Sequence, residues 1–188
     1  MKILFLFSGL IVLSNLQAQT LNAEQRLVKQ VVVDFYKWYS VNDAKLYNFK
    51  LYKGKNKKDV PPYIIDWKVA ETYFTYIRKN VPWLGEAFIE NERKFLKQCQ
   101  QSFNKYPEEE MPIGFDYDRF TDTQEDAKYT LSETILNKKM LWQINIKSNN
   151  TKAVVFISEK QKTDERSKIE LVKEKGLWKI SKCISRNL

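Results

Sequence analysis

The chain has 188 residues, 43% of them hydrophobic and 29% charged, and a formal net charge of +9. That balance suits one folded domain with a substantial core and excludes a disordered or collagen-like chain. The lack of any histidine excludes histidine-ligated metals and a histidine general base, and two cysteines do not make a zinc site.

Residues 1–18 read as a signal peptide. Met1-Lys2 is a short basic start, Ile3 to Leu13 is apolar apart from Ser8-Gly9, and a polar, small-residue exit ends at Ala18, where cleavage is expected. The apolar core falls short of the roughly 20 residues that a spanning helix needs. No cysteine stands at the cleavage point to carry a lipid, and residues 19–188 are expected to form a single domain. Cleavage removes only Lys2 from the charge balance, so the mature protein stays basic. In an exported protein such charge meets lipid head groups, lipopolysaccharide phosphates, acidic glycans or an acidic protein, or it simply maintains solubility; nucleic acid lies in another compartment.

The first mature helix is expected over residues 23–40, capped by Asn22 with Gln25 as its reciprocal partner. At about 100° per residue, Leu27, Val28, Val31, Val32, Phe35, Tyr36, Trp38 and Tyr39 share one half of its circumference. Val33 is the misfit, and Asp34 and Lys37 fall outside the arc. Residues 42–62 form an irregular, lysine-rich stretch with Tyr47, Phe49 and Tyr52 interleaved, readable as a solvated hairpin or as a contact for an anionic partner. Asp66 caps a second helix to residue 79, with Val69, Tyr73, Phe74 and Ile77 as its stripe. Val81-Pro82-Trp83-Leu84-Gly85 breaks it, and a third helix follows over residues 86–104, apolar at Phe88, Ile89, Phe95, Leu96, Cys99 and Phe103.

Residues 106–126 are an acidic, proline-bearing connection. Asp116 and Asp118 match the first two ligand positions of a calcium loop, but Phe120, Thr121 and Ala127 stand where an oxygen, a glycine and a glutamate are required. Short strands are expected thereafter, over 129–136, 140–147, 153–158, 167–173 and 177–184. Ser148-Asn149-Asn150 and Lys175-Gly176 are turns, and 161–166 is a polar loop. Helices first and an antiparallel meander afterwards make an α+β fold, N-terminal helices packed on an antiparallel sheet.

Cys99 and Cys183 are the only cysteines. In an oxidising compartment they read as one disulfide joining the third helix to the last strand, worth on the order of 4–5 kcal/mol by chain entropy. Two separate buried thiols are the alternative.

Val32-x-Asp34-Phe35-Tyr36-x-Trp38-Tyr39 resembles a motif in a family of exported bacterial envelope proteins whose domain has no assigned function. Further similarity lies in Phe88-Ile89-Glu90-Asn91-Glu92, in Gly114-Phe115-Asp116-Tyr117-Asp118 with Thr123-Gln124, and in Gly176-Leu177-Trp178-Lys179-Ile180. The resemblance spans nearly all of the mature chain. It implies the cystatin-like, nuclear-transport-factor-like cone, in which helices close one mouth of a strongly curved antiparallel sheet.

Three functions are consistent with these residues. One is a non-catalytic envelope protein, periplasmic or extracellular, that binds a small amphipathic ligand or a protein or glycan partner. Tyr36, Trp38, Trp67, Asp116, Asp118 and Trp142 are its candidate contacts, because aromatic rings give large contact area with a polar handle. Another is an immunity or inhibitor protein against an acidic toxin or hydrolase. The last is a pocket acid/base enzyme, as some cone-fold proteins are, which requires a buried carboxylate beside a tyrosine. No cofactor and no metal is expected.

Overall fold

The computed structural model describes residues 21–56, 59–159 and 167–183. The expected export signal and the 161–166 loop lie outside these residues.

The first helix, α1 (Ala23–Tyr39), begins with a complete capping box: Asn22 Oδ1 accepts from Gln25 N–H, and Gln25 Oε1 accepts from Asn22 N–H, each at 2.9 Å. Val28, Val32, Phe35, Tyr36 and Tyr39 are buried, a stripe at helical spacing. The buried face is narrower than the expected half-cylinder, for Leu27 is 55% exposed. A second, one-turn helix, α2 (Ala44–Tyr47), leads into a two-stranded antiparallel ribbon of β1 (Tyr52–Gly54) and β2 (Tyr63–Ile65). This ribbon is anchored rather than merely solvated. Leu51, Tyr63 and Ile65 are buried, and Ile65 N–H donates to Gln100 Oε1 at 2.9 Å.

Helix α3 (Trp67–Asn80) is capped by Asp66, as expected, and buries Ala70, Tyr73, Phe74 and Ile77. Helix α4 (Glu86–Lys105) buries Phe88, Ile89, Leu96, Cys99 and Phe103. Its N-cap is Gly85, which has no side chain to offer. Glu174 supplies the acceptors instead, taking Glu86 N–H and Ala87 N–H at 3.0 Å each. A Cβ on Gly85 would collide with that carboxylate, so glycine is what lets Glu174 reach the helix end.

The expected strand over 129–136 is instead the short helix α5 (Ala127–Glu133). The cause is local. Asp126 Oδ1 accepts from Tyr129 N–H at 2.8 Å, and the buried positions Ala127, Leu131 and Ile135 recur every four residues, not every two. Threonine and tyrosine favour strands, but the cap and the helical spacing outweigh that preference.

The main sheet is an antiparallel meander, β3 (Leu141–Lys147), β4 (Lys152–Ser158), β5 (Ser167–Glu174) and β6 (Leu177–Lys182), in that spatial order. Lys175 (φ 51°) and Gly176 (φ 82°) form the expected two-residue turn between β5 and β6, the paired positive φ values of a tight hairpin. One face carries Ile144, Ala153, Val155, Ile157, Ile169, Leu171, Trp178 and Ile180 into the core against α1 and α4. The register of β5 against β6 shifts between Glu170 and Leu171. That extra residue buries Ile180 and Ser181 in succession and then turns Cys183 inward. The outer edge of β6 is not open. Trp83 to Gly85 runs alongside it, with Ile180 N–H donating to Trp83 O at 2.8 Å and Gly85 N–H to Ile180 O at 3.2 Å. The architecture is α+β, with helices on an antiparallel four-stranded sheet and a separate two-stranded ribbon.

Candidate functional site

The acidic connection, residues 106–126, folds beneath α1 and carries the polar centre of the molecule. Gly114 (φ 89°) makes its approach possible, because a Cβ there would stand 2.9 Å from Cys99 Sγ and 3.0 Å from the Phe95 ring. Beyond it, Asp118 ties a tight turn: its Oδ1 accepts from Phe120 N–H at 2.7 Å and Thr121 N–H at 3.3 Å. Its Oδ2 accepts from the Tyr39 hydroxyl at 2.6 Å. Tyr36 donates to Phe120 O at 3.0 Å, so α1 grips this turn at two points. Phe120, buried, packs on Phe35, Tyr39 and Phe88 with ring centroids 4.7–5.9 Å apart.

Arg119 points the other way, towards α3 and α4. Its Nη2 meets Glu92 Oε2 at 2.8 Å and the Tyr73 hydroxyl at 3.4 Å, and Tyr73 donates to the same Glu92 oxygen at 3.2 Å. The Arg119 and Glu92 side chains are only 18% and 13% exposed. The guanidinium lies 5.1 Å from the Phe95 ring centre, 5.6 Å from Phe115 and 5.9 Å from Tyr73. Its Nη1 is buried with no hydrogen-bond acceptor among the described residues.

The electrostatics follow from this burial. Desolvation works against the Arg119 charge, but Glu92, Tyr73 and Cys99 more than offset it and hold the guanidinium above its ordinary value. Burial drives Tyr36, Tyr39 and Tyr73 up, with Asp118 and Glu92 adding to the effect, so all three stay neutral donors. Burial pushes the Cys99 thiol up to about 12, with Arg119 opposing and Glu92 assisting, and it drives Cys183 up as well.

In front of these groups lies a half-open cleft of about 140 Å³. Tyr39, Phe49, Tyr52, Phe115, Tyr117 and Phe120 form its aromatic wall, Leu46 and Leu51 its aliphatic part, and Lys50, Asp118 and Arg119 its charged part. A pocket of about 150 Å³ holds one benzene-sized ring. Tyr47, 75% exposed, stands at the rim.

The sequence candidates are distributed unevenly around this centre. Asp118 lines the cleft, and Tyr36 is buried behind it. Asp116 is not part of the cleft lining, although its neighbour Tyr117 is. Trp38 packs against Trp83 in a tilted arrangement, with ring centroids 6.0 Å apart, away from the cleft wall, and Trp67 opens α3 as a partly buried core residue. Trp142 lies on β3 beneath the Lys29 ammonium, 4.6 Å from it. The disulfide is a correction: Cys99 and Cys183 are both free and buried. Cys99 packs against Gly114 and Phe95, and the Cys183 thiol lies near the Tyr36 hydroxyl.

Arg119 and Glu92 were not among the candidates. A signal for both exists in the sequence. Arg119 is the only basic residue in an acidic run flanked by Phe115, Tyr117 and Phe120, and Glu92 interrupts the apolar stripe between Phe88 and Leu96.

Chemically the carboxylates are acceptors already supplied with donors, Asp118 with three and Glu92 with two. Such groups orient their neighbours. Among the described residues, no group of three or more histidine, cysteine or acidic side chains is placed to hold a metal, and no helix is long and apolar enough to cross a membrane. Comparison with protein-family models, curated proteins and solved structures finds no match to this chain.

Proposed function

We propose that the protein is an exported, non-catalytic envelope protein that binds a small amphipathic ligand in the cleft between the 106–126 connection and residues 46–52. The observation that carries this reading is the cleft itself: ring-sized and lined by aromatic side chains together with Lys50, Asp118 and Arg119. Ligand sites combine apolar walls and a few fixed polar groups in this way. The hydrogen bonds that Asp118 and Glu92 already accept within the protein support holding rather than reacting. The motif resemblance and the order of helices before strands support a cone-like arrangement, although none of the residues that line this cleft belongs to β3–β6.

Titration of the protein with benzyl alcohol, followed by amide resonances, tests the cleft. The amides of Tyr52, Phe115 and Phe120 are expected to move together and to saturate. Saturable shifts confined to another surface overturn the reading. Native mass spectrometry of protein taken from its own envelope is expected to show a small non-covalent adduct, and N-terminal sequencing of that material is expected to begin at Gln19.

A further inference from the structure

We infer that the outer face of the four-stranded sheet docks on an anionic lipid surface, with Lys147, Lys152, Lys168, Lys179 and Lys182 as its electrostatic contacts. This face shares no residue with the cleft. The strand register assembles it. Lys147 pairs with Lys152, Lys152 with Val172 and Val172 with Lys179, so one row across all four strands carries three lysines. The adjacent row is Asn145, Val154, Glu170 and Lys182, and Lys168 stands two residues before Glu170 on β5. Side chains two apart along a strand share a face. The alternate positions, among them Ile144, Val155 and Leu171, are buried towards α1 and α4, so the lysine face points away from both helices.

Lys147, Lys152 and Lys182 are exposed, and none of the three has an ion-pair partner among the described residues. The two acids of the face are engaged within the protein. Glu170 pairs with Lys168 at 2.5 Å, and Glu174 caps α4. Like charges directly opposite on neighbouring strands destabilise a sheet, and Lys147 and Lys152 are such a pair. An anionic surface turns that repulsion into attraction. The kind of cation points to lipid. Arginine forks suit fixed, bidentate contacts, whereas these lysines are point charges on flexible stems, suited to a field of phosphates that shifts laterally. Their row spans about 14 Å at ordinary strand spacing, which addresses a surface rather than a single phosphate. Leu177, 63% exposed at the β5–β6 turn, offers an apolar side chain to the head-group layer at one end of the face.

The test mixes the full chain with vesicles of pure phosphatidylcholine and with vesicles containing one-third phosphatidylglycerol, and reads the bound fraction by co-sedimentation. Affinity is expected to be at least about twentyfold higher for the charged vesicles and to fall steeply with added salt. Lys147→Gln with Lys152→Gln is expected to weaken that binding about twentyfold, near fivefold for each lysine, and Lys182→Gln about fivefold by itself. The urea midpoint of the double variant is expected to be no lower than that of the unmodified protein, because the cross-strand repulsion leaves with the charges. Lys94→Gln with Lys97→Gln removes the same charge from exposed positions on α4, beyond the opposite face of the sheet, and is expected to change binding by less than about twofold. Equal losses from the two double variants would trace the attraction to overall charge and overturn the docking face. Equal affinity for both kinds of vesicle, or a preference for soluble polygalacturonate over the charged vesicles, overturns it as well.

Discussion

Arg119 Nη2 and Glu92 Oε2 meet at 2.8 Å, with the guanidinium 5.1–5.9 Å from the ring centres of Phe95, Phe115 and Tyr73. A pair so enclosed is costly to desolvate, and its net contribution to stability is small while both partners are present. Removing one partner is another matter. Glu92→Leu leaves a guanidinium among Phe95, Phe115 and Tyr73, and a loss of about 3–5 kcal/mol is expected. The double variant Glu92→Leu, Arg119→Met is expected to recover most of that loss. Urea unfolding of the two singles and the double gives the coupling directly; additive losses would show that the pair does not act as a unit.

Gly114→Ala tests the seam between the connection and α4. The backbone there has φ 89°, and the new methyl would press on Cys99 Sγ and the Phe95 ring. Strain and collision act together, so a destabilisation larger than about 1 kcal/mol is expected. Combining it with Cys99→Ala removes the nearer contact and is expected to restore part of the stability, with the φ strain left behind. The urea midpoints of the single and double variants separate the two contributions.

The helices, the meander and its turns were legible because their signals are local. The Asn22–Gln25 box, the Asp66 cap and the Lys175-Gly176 turn each depend on residues within a few positions of one another. The strand expected at 129–136 failed for the same reason in reverse: propensity was read where a cap at Asp126 decided the matter. The site was only half legible. Asp118 stood out as an acid in a long connection, but its partner Tyr39 lies 79 positions away, and Tyr73 and Glu92 reach Arg119 from two different helices. No periodicity reports such a meeting. The separate thiols depend on the bulge in β6, which turns Cys183 towards Tyr36, and a one-residue shift in register leaves little trace in a pattern of alternating residues.

Glu174 caps a helix from a strand 88 positions along the chain. Glu174→Ala leaves the Glu86 and Ala87 amides without that acceptor and removes a negative charge from the positive end of the helix dipole. A loss of about 1 kcal/mol is expected by analogy with ordinary N-cap deletions. Amide exchange should quicken first at residues 86–89; uniform exchange along α4 would show that the cap contributes nothing local.

Alkylation in denaturant without reductant distinguishes the thiols from a disulfide. Two free cysteines are expected to take up two iodoacetamide groups, read as a mass increase on the intact chain. In the native protein both are expected to react slowly, since burial raises both pKa values and shields both sulfurs. Modification of neither cysteine in denaturant would establish the bridge instead.

Alkali should unfold this protein earlier than its carboxylate network alone implies. Cys99, ordinarily at 9.0, is pushed up to about 12 by burial, and Cys183, Tyr36, Tyr39 and Tyr73 are raised as well. For each, the folded state keeps a proton that the unfolded state has released, so stability is fully present below the unfolded value and declines as pH climbs towards the folded one. The window opens near pH 9 for the thiols and near pH 10 for the tyrosines. Each fully retained proton contributes a slope of up to about 1.4 kcal/mol per pH unit. Urea midpoints are therefore expected to be level to about pH 8 and to fall steeply above pH 9. Cys99→Ala is expected to lower the midpoint by a constant amount below pH 8 through the lost packing, and to make the decline between pH 9 and 12 shallower. An unchanged slope in that variant would show that the Cys99 thiol titrates alike in the folded and unfolded chain.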